Sequence, residues 1–290
     1  MDSQKNNPKS LSMLVASMLI FGTIGIFRRM LPMESALIAF FRGVIGCLFL
    51  IIFIRLRGGK IRHGLDRGTF IKLTLTGAAI GLNWMLLFEA YNYTTVSVAT
   101  LCYYMQPTFV VVLSSILFRE KMTVKKAGCS LMALIGMVLI SGVVETGLPA
   151  AGDLKGILFG LGAACLYATV VLLNKSIREV DSYEKTIIQL GAAAAVMVPY
   201  LLVTGSFTGN IWNIKIIGLL IFVGIIHTGM SYVLYFGSMD GLRTQTVALF
   251  SYIDPVTALI LSAFILNEQM TGLGILGAIM ILGSAVICEI

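Results

Sequence analysis

An all-α polytopic membrane protein, with ten transmembrane helices arranged as two inverted five-helix repeats, is the fold class that this sequence predicts. Three observations carry it. Of the 290 residues 58% are hydrophobic and 12% are charged, and the mean hydropathy is +0.93; an average soluble domain carries roughly 25% charged residues. The apolar residues fall in runs of about 20, the length that crosses a bilayer as helix. The chain also repeats itself at a fixed offset.

Apolar runs bounded by charges or turn residues place the spans near 11–30, 34–54, 71–92, 96–118, 127–144, 155–174, 185–204, 214–236, 245–266 and 271–289. The first begins after Lys5 and Lys9 and ends at Arg28 and Arg29, with no small-residue cleavage pattern before them, so it reads as a retained helix and not a signal peptide. The second is followed by "RLRGGKIRHGLDRG", a short basic loop and the longest connection, which leaves no room for a soluble domain. The fourth holds "YYMQPTFVVVL" and the ninth "SYIDPVTALIL", each with a proline inside an apolar run. A closed barrel would alternate apolar and polar residues, and runs such as "GAAAAVMVPYLLV" do not.

Basic residues give the orientation. With both termini in the cytoplasm, sixteen lie inside: Lys5, Lys9, Arg55, Arg57, Lys60, Arg62, Arg67, Lys72, Arg119, Lys121, Lys125, Lys126, Lys175, Arg178, Lys185 and Arg243. Only Arg28, Arg29, Lys155 and Lys215 lie outside, with Arg42 left within a span. The net charge of +7 is therefore a topology signal that calls for no nucleic-acid partner. The five cysteines lie within spans and show no ligand spacing, so no metal or cofactor is expected.

A shift of 148 residues lays the third and fourth spans over the eighth and ninth without a gap. Gly81 falls on Gly229, Phe88 on Phe236, Tyr104 on Tyr252, Pro107 on Pro255, Glu120 on Glu268 and Thr123 on Thr271. The halves are 1–145 and 150–290. Five spans in each half reverse the side from which the second half starts, so the copies are expected to be inverted about an axis in the membrane plane. Such halves can exchange conformations and open a central site first to one side and then to the other.

Two five-helix halves, each with an aromatic residue, a polar residue and a proline followed by "P…E-x-M-T", resemble the drug/metabolite transporter superfamily, in particular its EamA-type members. The resemblance covers nearly the whole chain. It implies a central cavity lined by the third, fourth, eighth and ninth helices with help from the first and sixth. It also implies transport of amino acids, other metabolites or organic cations, often outward, in a bacterial-type inner membrane. The chain departs from the family in carrying Phe21-Gly22 where Trp-Gly is frequent, and Gln106 and Asp254 where Glu often precedes the proline.

Within the spans, charged and polar side chains are costly and mark functional candidates, each with a structural alternative. Asp254 can take a proton or a cationic group, or hold a structural pair. Glu89 can act likewise or reach the interface, and Arg42 can hold a solute carboxylate or neutralise Glu89 or Asp254. His227 can relay protons or bond between helices. Pro107 and Pro255 free the carbonyls of Tyr103 and Ser251 and kink their helices. Trp84, Tyr91, Tyr104, Tyr232, Tyr235 and Tyr252 suit a cationic or zwitterionic amphipathic solute, or sit in an interfacial belt. Asn83, Gln106 and Ser231 complete the candidate lining. Glu120 and Glu268, at helix ends, read as capping or gate-closing residues.

The sequence holds no Gly-x-Ser-x-Gly, His-Glu-x-x-His or nucleotide-binding loop, which argues against an enzyme and for energy drawn from a gradient, possible proton coupling included. A receptor or scaffold stays open as the alternative, to be separated by solute flux through purified protein. The expected partners are a small-molecule solute and the lipid bilayer, with the chain acting as a monomer or weak homodimer.

Overall fold

The structure is a computed structural model describing residues 7–58, 65–117, 123–146, 151–175, 177, 180–207, 212–239, 241–242 and 244–289. Glu120, Met122, His63 and the basic residues Lys5, Lys60, Arg62, Arg119, Lys121, Arg178 and Arg243 lie outside the described residues.

Asn7 opens the first helix by accepting the backbone N–H of Lys9 at 3.0 Å, with Pro8 at the position where a missing N–H costs nothing. Helix α1 spans Pro8–Met30 and α2 Ser35–Leu56. Asp66 caps α3, Arg67–Tyr93, through Thr69, whose side chain and backbone N–H hold the exposed carboxyl below the usual carboxylate range. Thr95 caps α4, Val96–Ile116. Helix α5, Val124–Ile140, stops at a turn where Gly142 adopts φ 74. Then follow α6 (Ala151–Asn174), α7 (Ser182–Thr204) and α8 (Ile214–Met239). Helix α9 comes in two pieces, Thr244–Ser251 and Ile253–Ile265, and α10 is Gly272–Cys288.

The protein is helical throughout the described residues. Among them, seven helices are long and apolar enough to cross a membrane, α1 to α4 and α6 to α8. The expected fifth, ninth and tenth spans appear as shorter helices. The turn after Ile140 ends α5, and the interruption at Tyr252 divides α9 so that neither piece reaches the length of the others.

The duplicated Met-Thr has a local reason. Thr123 Oγ1 accepts the N–H of Lys126 at 3.2 Å and Thr271 Oγ1 accepts the N–H of Gly274 at 3.0 Å, so the same residue caps the last helix of each half.

Packing between the halves is reciprocal. The first helix of each half packs on the third helix of the other, α1 on α8 and α6 on α3, and also on the other half's fourth, α1 on α9 and α6 on α4. The third helix of each half meets the second of the other, α3 on α7 and α8 on α2, and α5 packs on α10. Two copies related by a two-fold axis must make such exchanged contacts. Lipid tails give helices no hydrophobic reason to associate, so close approach at small residues supplies the packing. A Cβ on Gly77 would lie 2.4 Å from the Gln189 carbonyl oxygen, and one on Gly81 2.5 Å from that of Ala193. Gly136 and Gly277 meet backbone to backbone where α5 crosses α10.

Gly77→Ala is therefore expected to cost about 1–3 kcal/mol as α3 and α7 are forced apart. Gly191→Ala, whose Cβ would meet nothing within 4 Å, should leave stability unchanged or slightly raised. Thermal unfolding of the purified protein in detergent measures both, and equal shifts would contradict the packing.

Candidate functional site

Proline decides where α4 and α9 break. Pro107 has no N–H and its ring clashes with the carbonyl of Tyr103, the last residue of the first α4 piece; the helix resumes at Gln106. Pro255 does the same to Ser251, and α9 resumes at Ile253. Both breaks face one cavity of about 570 Å³. There the Tyr104 hydroxyl donates to Asp254 Oδ2 at 2.7 Å, so the duplicated motif of one half bonds directly to that of the other. This gives the acid at the second break a hydrogen-bond donor where water is scarce.

Arg42, Trp84, Tyr104, Gln106, Pro107, Tyr232, Tyr252 and Asp254 all line this cavity, as do Tyr91 and Tyr235. The six aromatic candidates therefore share one wall system and do not form a belt. Gln106 Oε1 is buried there without a partner among the described residues. Arg42 is 6% exposed, with its guanidinium carbon 4.2 Å from the Trp84 ring centroid. Its Nε donates to Thr228 Oγ1 at 2.7 Å and its Nη2 reaches the His227 carbonyl at 3.4 Å. Glu89 and Asp254 are not its partners. Gln189, roughly at the place of Arg42 in the second half, donates to Asn174 Oδ1 at 2.9 Å.

Other candidates sit elsewhere. Asn83 donates to the Ala163 carbonyl at 2.5 Å, between α3 and α6, and Ser231 donates to the Ile226 carbonyl at 2.8 Å. His227 is buried against Phe27 and Phe222, with Nε2 2.7 Å from Thr23 Oγ1. Thr23 gives its hydroxyl hydrogen to the Ile20 carbonyl at 2.7 Å, so Nε2 is the donor to Thr23, and Nδ1 is buried without a partner among the described residues. This contact ties a π-helical stretch of α8, Val223–Met230, to the break of α1 at Thr23. Pro255 is buried and is not part of the cavity lining.

Glu89 lies in a larger recess of about 1140 Å³ that also holds Arg28, Arg29 and Glu34. Neutral side chains link its charged groups: Ser35 donates to Glu89 at 2.6 Å, Asn92 donates to it at 3.1 Å, and Arg28 donates to Asn92 at 2.8 Å and to Ser35 at 3.1 Å, while Arg28 Nε is buried without a partner among the described residues. Ser206 donates to Glu34. The smaller cavity is the better candidate because it lies at both helix breaks and holds the contact between the two duplicated motifs.

The two ends of the bundle differ. Glu268 accepts the backbone N–H groups of Val96 and Ser97, at 3.0 and 3.2 Å, and so caps α4 from the other half of the chain. Arg29 stands 3.5 Å from the same carboxylate, and the Ser97 and Ser262 hydroxyls meet at 2.5 Å. These contacts close that end. In the other direction the lining continues past Val111 and Ser114 to Lys126 and Cys288. Gly22 lets α1 seat against the break, since a Cβ there would lie 2.6 Å from the Asp254 carbonyl oxygen.

Tyr103, Tyr167 and Thr228 are site residues that the sequence reading missed. Tyr103 and Tyr167 pack edge to face, centroids 5.8 Å apart, in the same wall. The adjacency of Tyr103 to Tyr104 was the available signal. Nothing local marked Thr228.

Known proteins bear on this arrangement. The chain is 29% identical over 286 residues to the uncharacterized transporter YxxF of Bacillus subtilis, covering 96% of this chain and 89% of that one. An uncharacterized transporter of Archaeoglobus fulgidus is 29% identical over 278 residues, 94% of each chain. A protein of known crystal structure superposes with a TM-score of 0.66 over 96% of both chains at 19% identity, a likeness of fold. The model of the EamA-like transporter family matches twice, over residues 8–142 and 154–288. With both halves matched, the chain belongs to the EamA-like transporter family.

Proposed function

We propose that this transporter works as a secondary exporter of small amphipathic metabolites, amino acids or organic cations, by alternating access through the cavity at the two helix breaks. The observation that carries the reading is the Tyr104–Asp254 hydrogen bond, which joins the halves inside a polar, aromatic-walled space. Ten spans as two inverted halves, 1–145 and 150–290, with both termini in the cytoplasm, complete the proposal. The basic-residue asymmetry supports that orientation. It makes the Lys126 and Cys288 end cytoplasmic, so this conformation faces inward. Asp254 serves as the proton site if a proton gradient drives the cycle, and as the acceptor for a solute cation in either case.

Asp254→Asn is expected to abolish counterflow of labelled amino acids in proteoliposomes while the protein still folds. Unchanged flux in the variant would demote Asp254 to packing.

Glu268→Ala removes two charge-assisted capping bonds, each worth about 1.5–3 kcal/mol, from the closed end. In a cysteine-free background, Ser97→Cys should resist a membrane-impermeant maleimide, and adding Glu268→Ala should raise its labelling by about tenfold or more. Equal labelling with and without Glu268 would remove the latch from the mechanism.

A further inference from the structure

We propose that Arg42 is the specificity-determining residue of the cavity, anchoring a carboxylate on the solute, and that Thr228 positions it. The inference rests on reading this cavity as the solute site, and it narrows the solute class: molecules bearing a carboxylate are taken and purely cationic ones are refused.

A guanidinium does not give up its charge in a protein, so a buried arginine must be matched by acceptors or leave that charge unmet. Arg42 is buried at membrane depth, yet no carboxylate lies within 4 Å of it among the described residues. Its Nε is used by Thr228 and one Nη2 hydrogen weakly by the His227 carbonyl. The Nη1 pair has no acceptor among the described residues, and the side chain lines the cavity. The carboxylate in the same cavity, Asp254, is bonded to Tyr104 instead. A permanent cation with an open planar fork is therefore presented to the solute. That fork fits a carboxylate with two parallel hydrogen bonds, the strong and orientation-selective form of the pair. A solute carrying only positive charge meets like charge at this pole. An ammonium elsewhere on the same solute finds acceptors at Asp254 and the tyrosine hydroxyls.

The fork is held in place by a local irregularity. Val223–Met230 is π-helical, whereas α3, its counterpart in the first half, stays α-helical throughout. Pi turns recur at functional positions. Here the turn brings the Thr228 hydroxyl and the His227 carbonyl to the guanidinium from one side, while Trp84 stacks on its face. The free edge then points at the solute.

The chain has two tryptophans, Trp84 and Trp212, so a Trp212→Phe background leaves Trp84, stacked on Arg42, as the only indole reporter. Purified protein in nanodiscs would be titrated with L-phenylalanine, 3-phenylpropionate and phenethylammonium, which share one skeleton and differ in charge. Both carboxylates should shift Trp84 emission saturably and bind about tenfold or more tighter than phenethylammonium. Arg42→Gln should erase that difference. Thr228→Val should weaken the carboxylates by about tenfold without changing phenethylammonium, and Thr228→Ser should restore them. Phenethylammonium binding as tightly as the carboxylates, or no response of Trp84 to either carboxylate, would overturn the assignment. The wild-type comparison stands even if Arg42→Gln does not fold. Carboxylate-selective binding without flux would support the anchor and sink the transport reading; flux of phenethylammonium equal to that of the carboxylates would do the reverse.

Discussion

The hydrogen bond between Tyr104 and Asp254 joins the places where two prolines break two helices. An unbroken α4 and α9 would bury their polar groups against helix backbone or turn them to lipid, where a carboxylate is costly. The breaks turn Tyr104 and Asp254 towards each other and leave Gln106 beside them. The same contact both stabilises the bundle and sits where the solute is expected. A transporter needs this combination, since a contact that closes the empty site must be one that the solute or its counter-ion can replace.

Around that contact irregular helices stand beside glycine-packed ones. Glycines let α3 approach α7, and α5 approach α10, at backbone distance. Four of the helices that line the cavity are irregular. α1 breaks at Thr23, α4 at Tyr104 and Met105, α9 at Tyr252, and α8 carries a π-helical stretch. His227 joins two of these irregularities through Thr23, and Arg42 joins a third helix to the same π turn. Hydrogen bonds thus connect these irregularities directly to one another.

Much of this was legible in the sequence because it is written twice. The 148-residue offset predicted that Pro107 and Pro255, and Gln106 and Asp254, act as counterparts, and it drew attention to the repeated Thr123 and Thr271 before their capping role was visible. The aromatic residues gathered by that register do share the cavity. What the register could not show is where asymmetric residues find partners. Arg42 meets Thr228 across 186 positions, and Asn83 turns away to a carbonyl of α6, because a helix face has several neighbours and periodicity does not say which. The break at Thr23 was silent for another reason: it involves no proline and depends on a histidine from α8. The shortening of α5 and α9 follows from a turn and a break inside apolar runs that hydropathy alone reads as continuous.

Alternating access requires the two ends of the cavity to move in opposite senses. Spin labels at Tyr93 and Gln269 report the end closed by Glu268, and labels at Ser12 and Lys125 report the other. Distances across both pairs, measured by pulsed electron resonance in proteoliposomes with and without a solute that supports counterflow, test this directly. The first distance should lengthen as the second shortens when solute is added. Two distances that rise and fall together, or that stay fixed while flux proceeds, would contradict exchange between inverted halves.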